Sequence, residues 1–222
     1  PRGAQPRRFP EWSVVMRGLA RLRVGVRVAA VALVALTLAA GSVPARAQGQ
    51  APVVYVVPIE GVIDLGLAPY LQRVLDEAAA NQAAAVILRV NTLGGRVDAA
   101  IVMRDALLRA PVRTVAFINT RAISAGALIS LAAETVAMAD GGMIGAATPV
   151  TIGTPGGAAQ PVEEKTVSYM RTEFRATAEA RKRSPQIAEA MVDADVEVAG
   201  LSEKGKLLTL TTEEALTHKM VD

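Results

Sequence analysis

Two stretches of this 222-residue chain hold residue types that can do covalent chemistry. The first is Ala122-Ile123-Ser124-Ala125-Gly126-Ala127. A strand is expected to end there and a helix to begin. A serine at such a turn can cap the helix by accepting a backbone N–H. Left free of that duty, its hydroxyl can attack a carbonyl. In the second role Ala125 and Gly126 let a substrate come close, and the Ala125 N–H faces the developing oxyanion. The second stretch is Asn91-Thr92-Leu93-Gly94-Gly95-Arg96. Paired glycines permit positive φ and a close backbone approach. Exposed amides at a helix start can hold an oxyanion. The same pair can also serve only to turn the chain. It matches neither a P-loop nor a dinucleotide fingerprint.

A serine hydroxyl is a weak nucleophile without a base. Arginine does not give up its proton usefully. The single histidine, His218, lies four residues from the end beside Lys219, in a helix that reads as surface-bound. Among the carboxylates only Asp98 is near either stretch. Lysine can act as a base where burial lowers its pKa. Beyond the leader described below there are five: Lys165, Lys182, Lys204, Lys206 and Lys219. Lys182 sits in the basic run Arg181-Lys182-Arg183, expected to be a solvated helix end. Lys204 and Lys206 flank Gly205 in a turn. Lys165, at the start of a long helix after a glycine-rich loop, is the preferred candidate. The competing role is a surface lysine paired with Glu163 or Glu164.

The elements that would position these residues follow from periodicity and turn signals. Strands are expected at Val53–Ile59, Ala84–Val90, Val112–Ile118 and Thr135–Met138, with shorter ones at Met143–Ala146 and Leu207–Leu210. Helices are expected at Leu67–Ala80, Val97–Leu108, Ser124–Ala133 and Val162–Lys182. In the second of these Ala100, Val102, Met103 and Leu107 are expected to face inward. Ser184-Pro185 should break the long helix and start a short one through Met191. A closing helix, Glu213–Met220, should be capped by Thr211 or Thr212. Thr148–Gln160 reads as a loop. Strands alternating with helices imply an α/β domain with a largely parallel sheet.

Composition narrows the function classes. Residues 1–47 carry eight arginines and a single acid, Glu11, leaving 16 basic and 20 acidic residues in 48–222. The basic pI therefore belongs to the leader, and nucleic-acid binding has little support. There are no cysteines, which removes disulfides and cysteine nucleophiles, and one histidine excludes a histidine-rich metal site. Residues 16–47 read as a secretory signal: Met16 with four following arginines, the apolar run Val28–Gly41, and the small-x-small site Ala45-Arg46-Ala47. Residues 1–15 lack an initiating Met and are set aside as upstream sequence. Residues 48–222 form the catalytic domain in this reading, and their end at Asp222 suggests a fragment of a longer protein.

These motifs, in this order, resemble the NfeD-like membrane-bound serine proteases of the Clp-protease class, often paired with stomatin-like proteins. The resemblance runs from about Val53 to Asp222. It is carried by Val53–Gly61 and Ala85–Thr92, by Asn91-Thr92-Leu93-Gly94-Gly95 and by Ser124-Ala125-Gly126. Met138-Ala139-Asp140, Ile144-Gly145-Ala146 and Leu210-Thr211-Thr212-Glu213-Glu214-Ala215-Leu216 complete it. It implies a Clp-protease/crotonase-like fold of repeated ββα units. It implies Ser124 as nucleophile, Lys165 as base, and oxyanion amides from Gly95 and Ala125, with no metal or cofactor. Leu93 stands where the family commonly has Pro, and Ile123 where several members have a small residue; neither change removes a catalytic atom. The implied substrate is a hydrophobic stretch of a membrane-linked protein, with a stomatin-like membrane protein as a possible partner. The implied setting is extracytoplasmic and membrane-associated, as a homodimer or higher oligomer. A crotonase-type acyl-CoA enzyme and a non-catalytic membrane-partner scaffold are the alternatives. The signal segment argues against the first, because coenzyme A is intracellular.

Overall fold

In the computed structural model, the described residues are 51–152, 159–161 and 163–222. The expected signal segment at 16–47 and residues 1–15 lie outside them, as does the middle of the glycine-rich loop.

The chain starts with strand β1 (Val54–Ile63), helix α1 (Leu67–Ala80), strand β2 (Ala85–Gly95) and helix α2 (Val97–Leu108). Strand β3 (Thr114–Ile123) leads into helix α3 (Ala125–Ala132), followed by β4 (Thr135–Met138) and β5 (Met143–Gly145). A short antiparallel ribbon, β6 (Val150–Ile152) with β7 (Ala159–Pro161), precedes helices α4 (Glu164–Ala180) and α5 (Pro185–Ala190). Strand β8 (Thr209–Thr211) and helix α6 (Thr212–Thr217) close the chain. The main sheet runs β1-β2-β3-β5-β8, with β4 also paired to β3. All pairings are parallel except β5 with β8. The expected α/β domain with a largely parallel sheet is what forms, with β4 and β5 lying in succession along β3.

One face of the sheet is apolar and buried: Val57, Ile59 and Ile63 of β1, Val86, Leu88 and Val90 of β2, and Ala116 and Ile118 of β3. Successive strand residues point to opposite faces, and the alternate positions Val54, Val56, Glu60, Arg89 and Leu93 are exposed. Helix α1 places Leu71, Leu75 and Ala78 in the core, and its ends match the periodicity. Helix α2 also has the expected ends, but Val102 is exposed. The buried stripe is Ala99, Ala100, Met103, Ala106 and Leu107, a spacing that turns position 102 to solvent. Helix α3 is buried at all eight positions.

Several boundaries differ from expectation, β1 running on to Ile63 and the closing helix ending at Thr217 among them. β2 and β3 run on past Val90 and Ile118, so the Gly94-Gly95 pair ends a strand instead of following one. Gly61, with φ +72, lies in an irregularity of β1, beyond which Val62 pairs with Gly94 and Ile63 with Gly95. Thr148–Gln160 is not all loop, because its two ends pair as the β6–β7 ribbon. The closing helix begins at Thr212, with Thr211 as its cap. The Thr211 hydroxyl accepts the Glu214 N–H while the Glu214 carboxylate accepts the Thr211 N–H.

Candidate active site

Ser124 stands between β3 and α3 with φ 57° and ψ −121°. Its N–H donates to the Gly145 carbonyl at 3.0 Å, and its carbonyl accepts the Ala127 N–H at 2.9 Å. These bonds hold the backbone in a conformation that costs a non-glycine residue about 1–3 kcal/mol. The side chain makes no capping hydrogen bond. The cap role is therefore not what the hydroxyl does. A serine on a strained strand-to-helix turn, its hydroxyl without a hydrogen-bond partner among the described residues, is the geometry of a nucleophile elbow.

The glycine pair is explained by what each glycine faces. A Cβ on Gly94 would lie 2.6 Å from Ser124 Cβ, 3.0 Å from its Oγ and 3.3 Å from the Ala125 nitrogen. Gly94 also has φ +108. A Cβ on Gly95 would run into the backbone of Ile63 instead. So the first glycine makes room for the serine, and the second seats the strand end against β1.

Thr92 organises this corner, and sequence reasoning quoted it only as part of a motif. It is buried; its hydroxyl donates to the Gly61 carbonyl and accepts the Gly94 N–H at 2.9 Å. Its methyl packs where a Cβ on Gly126 would stand, 2.5 Å away. Thr92 thus ties the β1 irregularity, the glycine pair and the first turn of α3 together. The Asn-Thr ending of an apolar strand was the one available signal. Gly145 and Ala146 complete the surroundings: both have positive φ, Gly145 accepts from Ser124, and Ala146 donates to the Leu208 carbonyl at 3.0 Å.

Lys165 lies in the first turn of α4. Its side chain is 80% exposed and its Nζ is 2.6 Å from Glu163 Oε2, itself on an exposed side chain. Among the described residues no hydrogen bond or ion pair joins it to Ser124. The buried lysine expected beside the serine is thus not what this conformation holds, because Glu163 supplies a counter-charge out in solvent. The other bases considered are also placed. Asp98 pairs with Arg96 at 2.7 Å, both exposed, and the hydrogen bond from Arg96 holds its carboxyl below the usual range. Lys206 pairs with Glu203 at 2.7 Å. His218 is exposed at the end of α6.

The basic run Arg181-Lys182-Arg183 is a correction. Lys182 is solvated, but Arg183 is buried and Arg181 is partly so. Both guanidinium groups point at backbone carbonyls inside the domain. Desolvation lowers the pKa of each.

Residues 53–222 match the family described as NfeD1b, N-terminal domain. The chain belongs to the NfeD1b family. It is 36% identical over 193 residues to membrane protein NfeD1b of Bacillus subtilis, covering 86% of this chain and 43% of that protein. It is 27% identical over 173 residues to the membrane-bound protease PH1510 of Pyrococcus horikoshii, covering 77% of this chain and 36% of that protein. The chain therefore spans less than half the length of these two relatives. Among solved structures, a serine-to-alanine variant of the 1510-N membrane-bound stomatin-specific protease superposes with a TM-score of 0.68. It is 26% identical, with 78% of this chain and 79% of that chain covered. A lysine-to-alanine variant of the same protease, in complex with a substrate peptide, gives the same TM-score and identity, with 77% of this chain and 74% of that chain covered. In that protease the replaced serine and lysine are 41 positions apart, as are Ser124 and Lys165 here. ClpP1 from Listeria monocytogenes, 21% identical with a TM-score of 0.55 over 75% of this chain and 88% of that chain, shares the fold. The NfeD1b-type domain thus has a Clp-protease-like architecture.

Proposed function

We propose that this NfeD1b-type domain is a serine endopeptidase in which Ser124 attacks the scissile carbonyl and Lys165 serves as its base. The observation that carries the reading is the backbone of Ser124. The chain holds a strained turn, keeps the space before it clear by placing glycine at 94, and leaves the hydroxyl without a partner among the described residues. A structural cap has no need of these features. The Ser–Lys spacing shared with the 1510-N protease supports the choice of base.

The Ala125 N–H opens α3 beside the serine and serves the oxyanion. Gly95 is its proposed partner. Because the Arg96 N–H donates to the Ile63 carbonyl, strand alternation turns the Gly95 N–H away from β1. Each such donor is worth about 10²–10³ in rate. Ser124 Oγ bonds to the carbonyl carbon as its proton passes to Lys165; the C–N bond then breaks, the leaving amine takes that proton, and water activated by Lys165 hydrolyses the acyl-serine. This requires the Glu163–Lys165 pair to open and α4's first turn to approach the serine. Substrates are proposed to be hydrophobic stretches of membrane-associated proteins, a stomatin-like protein among them, met outside the cytoplasm. The domain would be residues 48–222 behind a signal segment at 16–47, working as a homodimer or higher oligomer. Among the described residues no helix is long and apolar enough to cross a membrane.

The exposed, ion-paired Lys165 favours one other reading, a scaffold that keeps the fold without turnover. Cleavage of an unstructured protein by the full chain, by Ser124→Ala and by Lys165→Ala decides between them. An active wild type with two folded, inactive variants supports the dyad. A folded wild type that neither cleaves nor reacts with a fluorophosphonate favours the scaffold. Equal cleavage by all three would place the activity elsewhere.

A further inference from the structure

Helix α3 is short and entirely buried, so the carbonyls at its C-terminal end cannot turn to water. The last four carbonyls of any helix lack partners within it. Here two guanidinium groups take the last two, Leu131 and Ala132, while Ser130 O accepts the Ala133 N–H. Arg181 Nε donates to Ala132 O at 2.8 Å and its Nη2 to Leu107 O at 2.9 Å, which closes the end of α2 as well. Arg183 Nη1 donates to Leu131 O at 3.2 Å and to Ala133 O at 3.3 Å. Its Nη2 reaches Glu134 O at 3.4 Å and Asp222 Oδ2 at 3.2 Å. The same Asp222 carboxylate accepts the Val136 N–H at 2.8 Å, and the Asp222 N–H donates to Val136 O at 2.8 Å. Asp222 thereby clips Arg183 to β4.

Desolvating two cations is costly. The domain does so at the end of the helix opposite Ser124. Positive charge at a helix C-terminus is favourable in itself. Yet one solvated lysine or arginine would serve that purpose, and five carbonyls need not be gripped from two directions. What the grip adds is position. Helix α3 is about 12 Å long; its first turn is held by the Thr92 methyl and its far end by the two arginines. A strained residue such as Ser124 persists only where its surroundings over-determine it.

We propose that Arg183 and Arg181 are positioning residues for Ser124, clamping the far end of α3 so that the nucleophile and the Ala125 N–H keep their place. The inference rests on the reading of Ser124 as nucleophile. A shift of about 1 Å at reacting atoms can cost about 10²-fold in rate. Loss of the clamp therefore lowers the reactivity of Ser124 beyond its effect on stability.

The test labels Ser124 in the full 222-residue chain with a fluorophosphonate. It compares wild type, Arg183→Lys, Arg183→Gln and Arg181→Lys. Thr211→Ala, a cap substitution on α6, is the stability control. Urea denaturation gives the stability of each. Arg183→Lys keeps the charge and is the variant expected to fold if Arg183→Gln does not. The expected result is a fall of about ten- to a hundred-fold in the labelling rate constant for the folded arginine variants, with little change in the concentration for half-maximal labelling. Thr211→Ala should label at the wild-type rate. Arginine variants that are folded and label like wild type overturn the proposal while leaving the peptidase reading intact. So does a loss matched by Thr211→Ala at equal stability. A wild type that neither labels nor cleaves overturns the peptidase reading, and the clamp's role with it.

Discussion

Gly94 faces Ser124 so closely that a Cβ on the glycine would stand 2.6 Å from the Cβ of the serine. Its φ of +108 adds a second penalty for any side chain. Gly94→Ala is therefore expected to destabilise the domain by about 1–3 kcal/mol. It should also slow fluorophosphonate labelling of Ser124 by about ten-fold or more. Urea denaturation and labelling rates measure the two effects. Unchanged values for both would mean that the corner has room the geometry does not give it.

Ser124 itself carries strain that a glycine would not. Ser124→Gly and Ser124→Ala both remove the proposed nucleophilic hydroxyl and should both abolish cleavage. They should differ in stability, with the glycine variant more stable than the alanine variant by about 1 kcal/mol, because only glycine takes φ 57° without cost. An alanine variant at least as stable would argue that the turn relaxes once the hydroxyl is gone.

Thr92 and Gly126 share one small space. Gly126→Ala alone should cost about 1–3 kcal/mol through overpacking against the Thr92 methyl, 2.5 Å from the added carbon. Thr92→Ser keeps the hydroxyl that bonds Gly61 and Gly94 but removes the methyl. Combined with Gly126→Ala, it should recover part of the loss, giving a coupling of about 0.5–3 kcal/mol in a double-mutant cycle. Strictly additive effects would show that the two do not compete for this space.

The capping box on α6 gives a pH dependence with a definite sign. Hydrogen bonds from the Thr211 backbone and hydroxyl hold the Glu214 carboxyl below its usual range. A carboxyl with a depressed folded-state pKa contributes stability above its unfolded pKa and loses it as pH falls through the folded value. Glu214→Gln should therefore be less stable than wild type at neutral pH, and the gap should close below about pH 4. Thermal melts across pH 3 to 7 test this at about those values; a gap that widens in acid would contradict it.

Much of the fold could be read from residue order. The periodicity of Leu67–Ala80 and Val97–Leu108 gave both helices their ends, because apolar stripes on amphipathic helices are long and regular. The ends of β2 and β3 were harder. Buried parallel strands have no strict alternation to follow, and a Gly-Gly pair looks like a turn whether or not a neighbour strand pairs with it. The β6–β7 ribbon was hidden because the glycine and proline between its strands in the sequence dominate the local signal. For the site, Ser124 was legible as a type of residue in a type of place. Whether it capped or stood free depended on Gly94 and Gly145, brought to it by strands from elsewhere in the chain. The burial of Arg183 was not legible at all. A basic run is ordinarily solvated; carbonyls at the end of α3 and just beyond it, about fifty positions away, and the Asp222 carboxylate make the interior hospitable to it.

Strand β1 lies at one end of the sheet with β2 as its partner. The Ala84 N–H donates to Val53 O, so the odd-numbered residues that follow turn towards β2 and the even-numbered ones towards the free side. Pro58 is even-numbered, and its ring sits where an N–H would have offered itself to a stray strand. Three residues later the Gly61 irregularity bends the backbone away from regular spacing. Exposed Val54 and Val56 would otherwise make this an inviting template for a misplaced chain. One imino acid and one bulge thus make this edge, the free side of β1 among the described residues, a poor template for a second chain.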